Sequence, residues 1–138
     1  MTLKPQILLT MLSLAIGNAQ ASTTSDAAEA HFKAIATNDL AALINNYEKD
    51  AHLTWIGGPL DGSYVGTAAI MPVWHKFTDS QGPLQLKIEN LEEASNPKGS
   101  TVTATVYFAG RQPLHVRYVL VYRNGRIAEE VWQVVPSS

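Results

Sequence analysis

Apolar residues recur along this chain with two different periods. Before Gly82 the spacing is mostly helical. Ala28, Phe32 and Ile35 fall on one stripe. Leu40, Leu43, Ile44 and Tyr47 follow the i, i+3, i+4, i+7 rule, and Ile70, Val73, Trp74 and Phe77 repeat it. The pattern predicts three helices. Ala51–Ile56 reads as a strand between the second and third, with Tyr64-Val65 as a short second strand. After Gln81-Gly82-Pro83 the period becomes two. Leu84, Leu86 and Ile88 alternate with polar residues, then Val102, Ala104, Val106 and Phe108 alternate with Thr101, Thr103, Thr105 and Tyr107. Leu114–Tyr122 and Arg126–Val135 read as two further strands.

The punctuation agrees with this reading. Thr24, Ser25 or Asp26 can cap the first helix, with Glu29 placed to reach back. Asn38 or Asp39 can cap the second, and Thr67 the third. Pro72 falls inside the third helix, where its missing N–H predicts a kink or a reset. Asn96-Pro97-Lys98-Gly99 and Asn124-Gly125 are hairpin signals. Helical segments followed by long alternating strands indicate an α+β fold: a cone-shaped arrangement of three N-terminal helices packed on a strongly curved antiparallel sheet that encloses a pocket.

The first 21 residues read differently. Lys4 precedes an apolar run, Ile7–Ile16, and Ala19-Gln20-Ala21 places small residues at the two cleavage-determining positions. That is the layout of a secretory signal peptide, and the run is about half of the roughly 20 residues a membrane span needs. Residues 1–21 are therefore expected to be removed, leaving residues 22–138 as one domain in the periplasm or secreted medium, with no membrane contact after cleavage. The 138-residue chain has no Cys and a formal charge of −2. Stability must come from packing alone, thiol chemistry is excluded, and no basic face suggests nucleic acid.

Three blocks in order carry a resemblance: Asp39-Leu40 through Ala51, then Gly66-Thr67-Ala68-Ala69-Ile70, then Gly125-Arg126-Ile127 with Trp132 beyond. From about Ser25 to Val135 the chain resembles the nuclear transport factor two-like superfamily, in its SnoaL-like and ketosteroid-isomerase-like branch. That resemblance implies a homodimer and a small-molecule ligand or substrate, with no cofactor. It implies a carboxylate base, which in isomerases of this kind works with a Tyr and a protonated Asp. The base position matches Trp55, the Tyr matches His31 (or Phe32 after a one-residue slip), and the Asp matches Tyr118. None keeps its identity, which argues against the usual isomerase machinery.

Other residues supply candidate chemistry. Strand alternation places Glu130, Trp132 and Val134 on one face, and Val116, Tyr118, Leu120 and Tyr122 on another. The expected pocket is lined by Trp55, Trp74, Trp132, Phe32, Val116, Leu120 and Val134, with Glu130, Tyr118 and His31 as its polar points and candidate catalytic groups. A one-residue shift would turn Glu129 inward instead, and Glu130 could alternatively pair with Arg117 or Arg126. His52, His75 and His115 are expected at the surface or at an interface. Asp50 and His52 lack an evident third ligand, so no metal is expected. Three functions remain open: a binder of a small apolar or aromatic molecule; an isomerase, cyclase or dehydratase using Glu130; and a dimeric scaffold whose cavity its own side chains fill.

Overall fold

The computed structural model describes residues 23–136. The expected signal peptide, residues 1–21, lies outside the described residues. Helix α1 is Thr24–Ala36, α2 is Leu40–Asn45 and α3 is Thr67–Gln81. The strands are β1 (Tyr47–Ile56), β2 (Gly62–Val65), β3 (Gln85–Asn96), β4 (Gly99–Ala109), β5 (Pro113–Arg123) and β6 (Arg126–Val134). They form one curved, unclosed sheet in the order β2-β1-β6-β5-β4-β3.

The sheet is mixed rather than wholly antiparallel. β1 and β6 run parallel, while the other neighbours are antiparallel. The third helix is not N-terminal to the sheet; it follows β1 and β2. Both features have one cause. The chain lays down an edge hairpin first, crosses over through α3, and returns by the meander β3–β6 to close against β1. A parallel neighbour requires such a crossover.

Local boundaries differ from the periodicity in informative ways. Thr23, not a later residue, caps α1. Its hydroxyl accepts from Asp26 N at 3.1 Å, and Asp26 accepts from Thr23 N at 3.2 Å. This is the reciprocal box at one step earlier than expected, and it leaves Glu29 out. Asp39 caps α2 as expected, accepting from Ala42 N at 3.1 Å. That helix stops at Asn45, so Tyr47 begins β1 instead of ending a helical stripe. Two asparagines, poor helix formers, sit at the break. Helix α3 runs on through Pro72, and Gly66, not Thr67, occupies its N-cap without a side-chain bond.

The period-two segments give the expected faces. Val102, Ala104, Val106 and Phe108 point inward on β4, as do Val116, Tyr118, Leu120 and Tyr122 on β5. On β6 the alternation skips once. Tyr122 pairs with Ile127 and Val121 with Glu129, so Ala128 is an extra residue in the ladder. That bulge shifts the parity of everything after it. Ile127 and Glu130, three apart, are both buried, and Glu129 faces out.

The Asn124-Gly125 turn has positive φ at both positions, 54° and 76°, which two-residue hairpins require. Gly99 opens β4 close to the opposite strand: a Cβ there would lie 2.6 Å from the Tyr122 carbonyl oxygen. Two alanine substitutions should therefore act differently under urea unfolding. Gly125→Ala meets open space and should cost about 1 kcal/mol through backbone conformation alone. Gly99→Ala should cost about 2–3 kcal/mol, because the β4–β5 ladder must shift to admit it.

Candidate functional site

Glu130 stands at the centre of the interior. It is 1% exposed, flanked in the sheet by Leu53 on β1 and Leu120 on β5. An ionised carboxylate at such a depth costs several kcal/mol unless its lone pairs are met. Three separate elements meet them. Tyr47 of β1 donates its hydroxyl to Oε1, and Tyr118 of β5 donates to Oε2. His31 of α1 places Nε2 at 2.7 Å from Oε2. A second layer orients these donors. Trp74 of α3 donates from Nε1 to the Tyr47 hydroxyl at 2.8 Å, and Asn46 Nδ2 lies 3.1 Å from His31 Nδ1.

One proton arrangement satisfies every group in the cluster. With the Asn46 amide donating, His31 Nδ1 accepts and Nε2 carries the hydrogen. Glu130 then receives three donors on two oxygens, which suits a carboxylate that only accepts. Neither Arg117 nor Arg126 takes part; both are exposed, and Arg126 instead reaches the Tyr47 carbonyl oxygen at 3.5 Å. Burial, followed by the nearby Glu130 charge, pushes the Tyr47 and Tyr118 hydroxyls well above the ordinary tyrosine range. Tyr122 is pushed up by the same two causes in the same order.

A wall of aromatic rings separates this cluster from solvent. Trp55 stacks on Trp132 with centroids 4.2 Å apart and planes at 20°. Trp74 meets Trp55 at 5.5 Å and Trp132 at 5.8 Å, edge on. Phe77 closes against Trp132 at 5.1 Å, and Phe108 stacks on it from the other side at 5.2 Å. The rings pack on one another and do not surround a hollow. Phe32, Val116, Leu120 and Trp74 are completely buried in this solid interior, with Phe32 tilted on Tyr118 at 4.6 Å. Trp55 stands where the resemblance implies a base, and an indole moves no proton.

Space opens on the outer side of the wall. A cleft of about 610 Å³ lies at the end of the sheet, floored by Trp55, Phe77 and Trp132 and flanked by Leu60, Leu114 and Val134. The Gly57-Gly58-Pro59 loop forms one lip. Gly57, at φ 100°, passes so close to Val134 that a Cβ would lie 3.1 Å from its Cβ. Lys76, Ser80, Gln81, Arg111 and Gln112 make up the polar rim. Of the residues expected in the site, Trp55, Trp132 and Val134 line this cleft, while Glu130, Tyr118 and His31 meet each other behind it. His52 and His75 are exposed, and His115 is half-buried, stacked on Tyr107 at 4.5 Å.

Tyr47 and Asn46 are the residues that sequence reasoning missed. Helical spacing assigned Tyr47 to the apolar stripe of α2. The adjacent Asn45-Asn46 break was the signal that could have released it into the strand.

A family model of the SnoaL-like domain matches residues 28–130. The chain belongs to the SnoaL-like domain family. Solved structures agree on the fold. An NTF2-like protein of unknown function from Pseudomonas putida KT2440 superposes with TM-score 0.68 at 18% identity, over 80% of this chain and 82% of that one. A dehydratase candidate from the NTF2-like family of Streptomyces avermitilis gives 0.72 at 12% identity, over 88% and 99%. A ketosteroid isomerase-like protein from Erwinia carotovora atroseptica SCRI1043 gives 0.64 at 16%, over 80% and 92%. No curated protein matches the chain.

The buried cluster generates two expectations. Glu130→Gln preserves shape but turns one acceptor into a donor facing a donor. It should lower unfolding free energy by about 2–4 kcal/mol, and a double-mutant cycle with Tyr118→Phe should show coupling of about 1 kcal/mol or more. Alkaline titration followed by tyrosinate absorbance should separate the five tyrosines. Tyr47, Tyr118 and Tyr122 should ionise only as the protein unfolds. Their raised values favour the folded state fully below about pH 10, the unfolded tyrosine value, and that advantage is lost as pH climbs beyond it. Stability that stays flat above pH 10 would contradict the assignment.

Proposed function

We propose that this SnoaL-like protein is an exported binder of a small apolar or aromatic molecule, seated in the cleft outside the tryptophan wall. The observation that carries the reading is a cleft of about 610 Å³ whose floor is made by the packed rings of Trp55, Phe77 and Trp132. That volume lies within the roughly 300–1,000 Å³ typical of small-molecule sites, and an apolar floor with a polar rim is their usual makeup. The fixed rings, with Leu60, Leu114 and Val134 beside them, give an apolar ligand a contact surface that needs no further ordering of the floor. Export rests on the Lys4, Ile7–Ile16 and Ala19-Gln20-Ala21 pattern, and a homodimer on the family resemblance.

A second reading has its own support. Tyr118, Tyr47 and His31 converge on one carboxylate, as a proton-carrying site would need, and one similar structure is described as a dehydratase candidate. For Glu130 to act on a ligand, however, the Trp74 and Trp132 rings would have to swing out of a close-packed wall. The binder reading needs no such movement, and it assigns Glu130 to holding the interior together.

Two measurements test these readings. Native mass spectrometry of protein purified from its own host should show a retained small molecule on a chain lacking residues 1–21. Ligands from a panel of aromatics should quench tryptophan fluorescence, and Leu60→Asp, which puts a charge on the cleft flank, should weaken them at least about tenfold. Glu130→Gln protein that still folds should keep its ligand affinity under the binder reading. Loss of a measured turnover with affinity intact would favour the enzyme.

A further inference from the structure

The rim of the cleft has a one-sided charge. Lys76 and Arg111 line it, and no Asp or Glu does. In a chain with more acidic than basic residues, this is a local reversal. Asp61 and Asp79, close in sequence to lining residues, are not part of the lining; Asp61 Oδ1 accepts instead from Gly57 N at 2.8 Å.

Both cations lie beside the C-terminal part of α3. Arg111 donates from Nη1 to the Ser80 carbonyl oxygen at 3.3 Å, which rests its guanidinium on the last turns of α3. Lys76 lies four residues before Ser80 on the same helix, so the two share a face. Among the described residues, neither Lys76 nor Arg111 forms an ion pair. Two like charges on one rim, each without a counter-ion, repel and create a positive potential over an apolar floor. Two lining residues, one of the floor and one of the rim, also carry unspent polar capacity. Trp132 Nε1 and Gln81 Oε1 are buried without a hydrogen-bond partner, and a buried unsatisfied polar atom is costly until a ligand or water meets it.

We propose that the ligand of this cleft is an organic carboxylate with an apolar body: the body on the Trp55–Trp132 floor, the carboxylate at Arg111 and Lys76. The guanidinium fork suits a carboxylate, and Lys76 adds a second positive charge beside it. This rests on the cleft being a binding site and adds the chemical class of what it binds.

The test uses matched pairs of a carboxylate and its primary amide on one skeleton, from phenylacetate and phenylacetamide to naphthylacetate and naphthylacetamide. Binding is read by tryptophan fluorescence and calorimetry on the full chain. The carboxylate should bind about tenfold more tightly than the amide, and the preference should shrink as salt is raised. The double variant Lys76→Gln/Arg111→Gln, whose sites are both exposed, should lose the preference, so that acid and amide bind with equal affinity. An amide that binds as well as its acid, or a preference that survives the double substitution, overturns the carboxylate assignment and leaves the cleft as a neutral site. If no member of any pair binds, the cleft reading fails and this inference with it.

Discussion

One buried carboxylate organises the interior. Glu130 lies deep in an otherwise apolar core, and its charge is tolerable only where several donors reach it at once. Those donors come from α1, β1 and β5, with α3 bracing one of them through Trp74. Each element has apolar reasons to pack on the sheet, but apolar contact is non-directional and tolerates sliding. A hydrogen bond does not. His31 at 2.7 Å from Glu130 sets the rotation of α1 about its own axis, since a step to Phe32 or Ala30 would leave the carboxylate short of a donor. The bulge at Ala128 belongs to the same constraint. Without the extra residue, strand alternation would bring Glu129 inward and send Glu130 to solvent.

The aromatic wall follows from the need to keep that cluster dry. Water at the carboxylate would compete for the donors and weaken every bond to it, because a low local dielectric is what makes them strong. Trp132 is the shared element. It stacks on Trp55 toward the cleft and meets Tyr118 edge on at 5.7 Å toward the cluster. The family fold is compatible with several chemistries and does not choose among them. In this chain the buried Glu130 cluster lies on one side of the wall and the cleft on the other.

Much of this was readable from the residues, and the limits have physical reasons. The alternation on β4 and β5 was plain, since a sheet with one buried face imposes period two directly. The Asn124-Gly125 turn was plain because few sequences satisfy two positive φ values. The fate of Tyr47 was not. Its helical spacing was real, but Asn45 and Asn46 and the bond to Glu130 outweighed it, and a contact between residues 83 positions apart leaves no local trace. The parallel pairing of β1 with β6 was hidden for the same reason. That Glu130, Tyr118 and His31 would meet could be inferred from strand faces and the family resemblance. Whether three tryptophans surround a space or fill it depends on how closely α3 approaches the sheet, and spacing along the chain does not encode that distance.

The solidity of the wall bears directly on how the cleft can work. A floor built from Trp55 and Trp132 alone would be free to tilt. Here Phe108 backs Trp132, while Phe77 and Trp74 press on its edges and on Trp55. Rings held on several sides lose little further freedom when a ligand arrives, so less of the contact energy is spent on ordering the site. The polar cluster behind them contributes by fixing the elements on which those rings stand. In the proposed binder the buried carboxylate would therefore act without touching the ligand: it holds α3 and the sheet in register, and that register keeps the aromatic floor in place.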